Sequence, residues 1–307
     1  MLSAATLARI SFNPAFRFTA GRPMYRLLES LPDAEEQALQ ALRRRLAGYP
    51  SVAVAYSGGV DSALVAAIAA EQLGEGALAV TGVSPALAPH LREEARLQAQ
   101  WLGIRQQEIA TAELRDPAYS SNPADRCYAC KRELHSQLAA LLTQLPHTEA
   151  QVLDGVNHDD LVDHRPGIRA ARERGVLSPL AELGIGKQAV RRISRALGFP
   201  WWDKPAQPCL ASRFPYGEPI SAARLERVAA AEDWLRQRGF AQLRVRSQGE
   251  TARIELPGDQ LDNLLSGLRD GALRGQLVEV FRGLGFSAVS LDLEGLVSGK
   301  LNRDLPR

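Results

Sequence analysis

The stretch 51–70, SVAVAYSGGVDSALVAAIAA, constrains the fold of this chain more than any other. Residues 52–56 are short and apolar, with β-branched Val52 and Val54, which predicts a strand buried on both faces. The turn Ser57-Gly58-Gly59-Val60-Asp61-Ser62 follows at once, and the Ala/Leu-rich run behind it predicts a helix. Strand, glycine turn and helix make an anion site. Both glycines can take positive φ and let backbone N–H groups point inward. The helix N-terminus adds its dipole. Ser57 and Ser62 offer hydroxyls, and Asp61 either holds a metal ion or caps the helix. The run lacks the GK[ST] ending of a Walker loop, so it is another kind of phosphate loop. The plainer alternative is a tight strand–helix turn that carries serines.

SGGVDS resembles the PP-loop of ATP pyrophosphatases, enzymes that split ATP into AMP and pyrophosphate to adenylate a substrate. The chain around it supports such a fold. Residues 33–48 read as an amphipathic helix, with Asp33 as N-cap and Leu39, Leu42 and Leu46 on one face. Residues 76–83 predict a second strand, 90–102 a helix closed by Gly103, and 104–109 a third strand. This βαβαβ rhythm implies α/β architecture, a doubly wound parallel sheet with ligands at the carboxyl ends of its strands. Residues 122–130 read as a loop, 131–145 as a helix, 152–153 as the start of another strand, and 187–197 as a helix. Residues 200–217, rich in proline and aromatics, read as an ordered loop. Past Pro219 the pattern changes to a helix over 220–239, a hairpin of 242–247 with 252–256, helices over 261–268 and 277–284, and a strand over 288–293. The expected division is an N-terminal extension (1–32), a PP-loop domain (33–217) and a smaller α+β domain (218–307).

Length and composition bound the rest. A chain of 307 residues is long enough for a sizeable core. Its formal net charge of +2 gives no global field for nucleic acid, and no apolar run reaches the length of a membrane span. Three cysteines, an odd and sparse count, argue against a disulfide framework and for a reducing compartment, the cytoplasm. Residues 1–28 carry Arg9, Arg17, Arg22 and Arg26 and no acid. They read as a transit-like segment, a disordered arm or an upstream start with Met24 as a second candidate, and a non-catalytic extension is the favoured reading.

The cysteines are Cys127 and Cys130, a CxxC, and distant Cys209. Spacing alone leaves several readings open. A thioredoxin-like pair is weak, because this CxxC does not follow the first strand. A zinc site needs a fourth ligand, for which His135, His158 and His164 are available. The three thiols would also hold an iron–sulfur cluster with one iron left without a protein thiolate. Unrelated free thiols are the bland alternative.

The segment KPAQPCLASRFPYG at 204–217 is similar to the signature of the LarE family, ATP-dependent sulfur transferases of nickel-pincer nucleotide biosynthesis. SGGVDS at 57–62, CYACK at 127–131, DGVNHDDLVDHRPG at 154–167, RVR at 244–246 and ARIE at 252–255 extend the likeness from residue 33 to the C-terminus. The resemblance implies ATP and Mg2+ as cofactors and a small nucleotide substrate, pyridinium-3,5-biscarboxylic acid mononucleotide, whose carboxylates are adenylated and become thiocarboxylates. Some members sacrifice the sulfur of a single cysteine, at the position of Cys209, and leave dehydroalanine. Others hold a 4Fe-4S cluster on three cysteines, and this chain has that pattern in Cys127, Cys130 and Cys209. A homo-oligomer is implied, with a hexamer as one form.

Site residues follow from both readings. Cys209, Asp61 and Arg213 are the expected catalytic residues, since cations such as Arg213 and Lys131 favour a reactive thiolate or sulfide. Ser57, Gly58, Gly59, Asp61 and Ser62 are expected to bind the nucleotide phosphates. Asn157, Asp160 and Arg165, after the strand ending at Leu153, should face the nucleotide. By resemblance Asp160 assists the metal or nucleotide, Lys187 the pyrophosphate, and Ser84 lies where such enzymes hold adenine and ribose. Arg244 and Arg246 alternate with Leu243 and Val245, so one strand face presents both, either to water or as a clamp for a substrate phosphate. The family's polar substrate site would add Ser212, Arg213, Glu232 and Glu255. Trp101, Trp201 and Trp202 read as core or loop anchors, with Trp101 also a candidate for the pocket wall. The closest rival is a tRNA-thiolating PP-loop enzyme, which the low net charge disfavours. An ammonia-using synthetase and a non-catalytic nucleotide- or zinc-binding protein are further rivals, separated by iron content and pyrophosphate release.

Overall fold

A computed structural model describes residues 16–19, 22–143, 150–162, 166–269, 271–297 and 299–304. In chain order its main elements are β1 (Phe16–Thr19), β2 (Arg22–Tyr25), α1 (Asp33–Ala47), β3 (Val52–Ala55), α2 (Val60–Leu73), β4 (Ala77–Val83), α3 (Pro89–Leu102), β5 (Arg105–Ala110) and α4 (Arg126–Leu142). They continue with β6 (Gln151–Leu153), α5 (Pro166–Arg172), α6 (Lys187–Ala196), α7 (Ala222–Arg236), β7 (Arg244–Gln248), β8 (Thr251–Glu255), α8 (Gly258–Arg269), α9 (Ala272–Gly283) and β9 (Ala288–Leu291).

The central sheet is parallel throughout, in the order β5-β4-β3-β6. Strands run outward from β3 to β4 and β5, and the chain then returns to place β6 on the other side of β3. The order reverses between β3 and β6, so the crevice beyond their carboxyl ends is the switch point where such sheets bind ligands. The phosphate-loop turn leaves β3 there, and the Asp154-Gly155 turn leaves β6 beside it. All four residues of β3 are buried, as a strand covered on both faces requires. Helix α2 is buried nearly all round from Ser62 to Ala70, which explains its alanine-rich composition: small side chains let neighbouring layers approach it. Leu39, Leu42 and Leu46 of α1 pack into the same core, with Pro32 rather than Asp33 in the capping position.

A second sheet, β7-β8-β9, pairs β7 with β8 antiparallel and β8 with β9 parallel. Its core joins Val245, Ile254, Leu225 and Phe281 to Ala86, Tyr119, Ala129, Leu210 and Phe214. That core therefore draws residues from both sides of Gly217, and the cysteine-bearing segments are part of it.

Two expectations change. The CxxC is not in a loop: α4 starts at Arg126 and carries both cysteines in its first turns, with Ala129 packed into the core of the second sheet and Leu138, Leu141 and Leu142 into a core on the central sheet. The arm is not disordered over the residues described, since β1 and β2 form a hairpin. Tyr25 is buried against Phe199 and gives its hydroxyl proton to the Leu102 carbonyl. Arg9 lies outside the described residues.

Candidate active site

The phosphate-loop turn is built from its own backbone and serines. Gly58 has φ +68, and a Cβ there would stand 3.1 Å from the Ala95 Cβ. Gly59 does not use that freedom: it is extended, at φ −78, and caps α2. The Ser62 hydroxyl accepts from Ser57 N–H at 3.3 Å and donates to the Gly59 carbonyl at 3.2 Å. The Ser57 hydroxyl lies 3.2 Å from it and remains exposed. The turn thus presents the first N–H groups of α2 to the crevice.

Loops after other strands complete the rim. Gly155 passes so close to α2 that a Cβ on it would meet the Ser62 nitrogen at 2.6 Å. Asn157 donates to Asp61 Oδ1 at 3.3 Å, while its Oδ1 accepts from Asp159 and Asp160 N–H groups. Asp160 Oδ2 accepts from Asn157 N–H at 3.1 Å, closing a capping box. Lys187, opening α6, forms an ion pair with Asp61, and its backbone N–H donates to Asp159 at 2.8 Å. Asp61, Asn157 and Lys187 therefore meet directly and Asp160 joins through Asn157, although they come from three separate sequence segments. Asp61 does not cap the helix. Arg165 and His164 lie outside the described residues. Ser84, beyond β4, donates to buried Glu113 at 2.5 Å.

The Cys209 segment crosses this edge. Leu210 N–H donates to the Ala86 carbonyl at 2.9 Å, which anchors the turn beyond β4. Ala129, between the two CxxC cysteines, and Leu210 with Ala211 share one core, so all three thiols gather at its surface. Desolvation and then the Cys209 charge push the Cys127 thiol up, against Arg126 and Lys131. Desolvation pushes Cys130 up to about 12, opposed by Lys131 and reinforced by Cys209. The thiols are thus near enough to act on one another, and their soft donors suit iron or zinc. Among the described residues, however, no three His, Cys, Asp or Glu side chains stand in metal-ligating geometry. His135 is buried, with its pKa lowered to about 4 by desolvation, Lys131 and Arg174. His158 is exposed.

The arginines divide by burial. Arg213 gives Nε and Nη2 to Glu232 at 2.7 and 3.1 Å, and Nη1 to the Pro208 and Cys209 carbonyls and the Ser212 hydroxyl. Desolvation would raise the Glu232 pKa, but the Arg213 charge outweighs it and holds the carboxylate below its ordinary range. These bonds occupy the guanidinium and tie the Cys209 turn to Glu232. Arg246 is also buried, on the Ser212 carbonyl at 2.6 Å and on Glu255 at 3.0 Å. Arg244 has no ion-pair partner among the described residues, and it lines a cavity of about 210 Å³ with Arg213, Arg236, His90 and the 205–208 segment. Desolvation, then Arg246 and Arg213, lower its pKa, which an anion in the cavity would reverse. His90 is held neutral there, its pKa lowered to about 4 by desolvation and Arg236. Trp101 stacks edge-on with Trp201 at 5.1 Å inside the core, away from this wall.

Lys204, His90 and Arg236 were missed as site residues. Lys204 stood inside the 204–217 signature, but its contacts lie more than a hundred residues away in sequence. His90 and Arg236 carried no sequence signal.

A parallel sheet with a glycine-rich phosphate turn at its switch point defines a PP-loop domain, and residues 33–117 match the asparagine synthase family model. The chain belongs to the LarE family. It is 35% identical over 257 residues to the pyridinium-3,5-bisthiocarboxylic acid mononucleotide synthase of Lactiplantibacillus plantarum, covering 83% of this chain and 90% of the relative. It is 53% identical over 272 residues to an uncharacterized protein of Synechocystis, covering 89% of this chain and 99% of that one. An uncharacterized protein of Methanocaldococcus jannaschii is 28% identical over 243 residues, with 79% and 89% covered.

Proposed function

We propose that the protein is an ATP-dependent sulfur transferase that adenylates the carboxylates of pyridinium-3,5-biscarboxylic acid mononucleotide, releases pyrophosphate, and converts them to thiocarboxylates. The observation that carries this reading is the anchoring of the Cys209 turn beyond β4, beside a phosphate loop at the sheet's switch point. Kinship with the Lactiplantibacillus synthase supports the substrate.

A carboxylate is a poor electrophile, and AMP is a good leaving group, so adenylation has to precede attack by sulfur. In this reading Ser57, Gly58, Gly59 and Ser62 cradle the phosphates, Ser84 faces adenine and ribose, Asp61 and Asp160 hold Mg2+ with Asn157, and Lys187 meets the pyrophosphate. Ser212, Arg213, Glu232 and Arg246 shape the substrate site, and Arg244 offers a free guanidinium to the nucleotide's anionic groups. We assign 33–217 to nucleotide chemistry and 218–307 to substrate binding and assembly, in a cytoplasmic homo-oligomer. No helix among the described residues is long and apolar enough to cross a membrane.

For the sulfur we propose a 4Fe-4S cluster on Cys127, Cys130 and Cys209. A cluster held by three thiolates supplies an iron able to present sulfide. The gathering of the three thiols supports this reading over sacrifice of Cys209 alone.

Pyrophosphate release tests the function. Wild-type protein with Mg-ATP and the biscarboxylic nucleotide should release pyrophosphate, and Asp61→Ala should abolish release with the fold intact by circular dichroism. Release of ADP and phosphate would overturn the adenylation reading.

A further inference from the structure

Lys204 stands between the phosphate loop and the reactive cysteine. Its ammonium donates to the Gly58 carbonyl at 3.3 Å and to Glu94 Oε2, on α3, at 2.5 Å. Both side chains of this pair are largely withdrawn from water, at 13% and 14% exposure. Lys187 lies across the same loop, on Asp61. The turn thus has an ammonium on each flank, each resting on a carboxylate. A withdrawn ammonium needs an anion, and a nucleotide's phosphates are a stronger one than Glu94. Cys209 follows five residues later, across Pro205 and Pro208, whose rings restrict the intervening backbone.

We propose that Lys204 is a catalytic cation of the adenylation step: on nucleotide binding it leaves Glu94 for the α-phosphate, and in doing so holds the Cys209 segment against the adenylated carboxyl. The proposal rests on the adenylation reading above. In that step a substrate carboxylate oxygen bonds to the α-phosphorus. The bond from that phosphorus to the bridging oxygen breaks, and pyrophosphate leaves with its electron pair. No proton moves. Lys204 stays protonated and balances the charge that grows on the phosphoryl oxygens, in a site where it is already desolvated. Lys187 serves the departing pyrophosphate on the opposite flank.

The test uses the full-length holoenzyme, with calorimetric titration of Mg-ATP and pyrophosphate release with the biscarboxylic nucleotide. Lys204→Met should lower the release rate about a hundredfold and weaken Mg-ATP by roughly tenfold. Lys204→Arg should recover part of both. Glu94→Gln breaks the same ion pair but keeps the cation, so it should release pyrophosphate at close to the wild-type rate. If Glu94→Gln falls as far as Lys204→Met, the pair is only a structural prop and the proposal is overturned. Wild-type binding and turnover by Lys204→Met overturns it equally. A wild-type protein that binds Mg-ATP but yields ADP would sink the adenylation reading instead. The Mg-ATP affinity of Lys204→Met would then still decide whether the ammonium meets the phosphates.

Discussion

Three arginines that the sequence reading grouped by motif do different things because their surroundings differ. Arg213 and Arg246 are buried on Glu232 and Glu255, while Arg244 faces a cavity without an ion-pair partner. Removing one member of a buried pair costs about 3–5 kcal/mol where the other charge is stranded, and less here, because Arg236 also reaches Glu232 and Arg253 also reaches Glu255, each at 3.5 Å. Arg213→Met and Arg246→Met should therefore lower the melting temperature. Arg244→Met should melt close to wild type yet bind the nucleotide substrate roughly tenfold to a hundredfold more weakly, as the loss of a charge-assisted contact implies. Calorimetric melting beside substrate titration separates the two classes, and equal destabilisation by all three would sink the distinction. The alternation of 243–246 was enough to put Arg244 and Arg246 on one strand face. It carried no sign that the Cys209 turn would cover Arg246, because that contact runs to the Ser212 carbonyl, 34 residues away in sequence.

At the scale of elements, β3 was legible from its apolar, β-branched run, α2 from its Ala/Leu-rich composition and α1 from its leucine stripe, all of them local signals. The start of α4 was harder to read: the CxxC carries no apolar stripe, and the inward turn of Ala129 is set by a partner core far away in sequence. The hairpin β1–β2 was obscured for a similar reason, as Tyr25 finds its partners at Leu102 and Phe199. The close approach of the β6 loop to α2 is a matter of backbone contact, and Gly155 is its marker. An alanine Cβ at 155 would stand 2.6 Å from Ser62 N and 2.8 Å from Ser62 Cα, both backbone atoms that cannot swing aside. Gly155→Ala should displace the helix N-terminus and weaken Mg-ATP by roughly tenfold or more, about 1.4 kcal/mol per decade. Gly258→Ala is the control, since nothing lies within 4 Å of a Cβ there. Unchanged Mg-ATP affinity in Gly155→Ala would mean that the β6 loop does not set the phosphate turn.

The whole molecule is two sheets whose cores meet around the cysteines. Ala129 and Leu210 belong to the core of the second sheet, yet Leu210 is hydrogen-bonded to the loop after β4 of the first. In the proposed reading, that bond and that core bring the Cys209 turn beside the nucleotide crevice of the central sheet. Two sources of sulfur fit that placement, and they differ in what Cys127 has to do. If one cluster is held by Cys127, Cys130 and Cys209, Cys127→Ala loses a third of the protein ligands. Iron binding and activity should then fall together, and the wild type should turn over repeatedly when sulfide is supplied. If Cys209 gives up its own sulfur, Cys127 is dispensable for one turnover. Cys127→Ala should then stay active for that turnover, and the spent protein should carry dehydroalanine at position 209, lighter by the elements of hydrogen sulfide. Anaerobic reconstitution with iron and sulfide, followed by iron analysis and intact-mass measurement of wild type and Cys127→Ala, separates the two. The expected result is iron bound by the wild type and lost in Cys127→Ala, with Cys209 intact after many turnovers. Protein that holds zinc or no metal and accumulates the modified residue would overturn the cluster. The sulfur-transferase function would survive that result, because adenylation by the central sheet serves either donor.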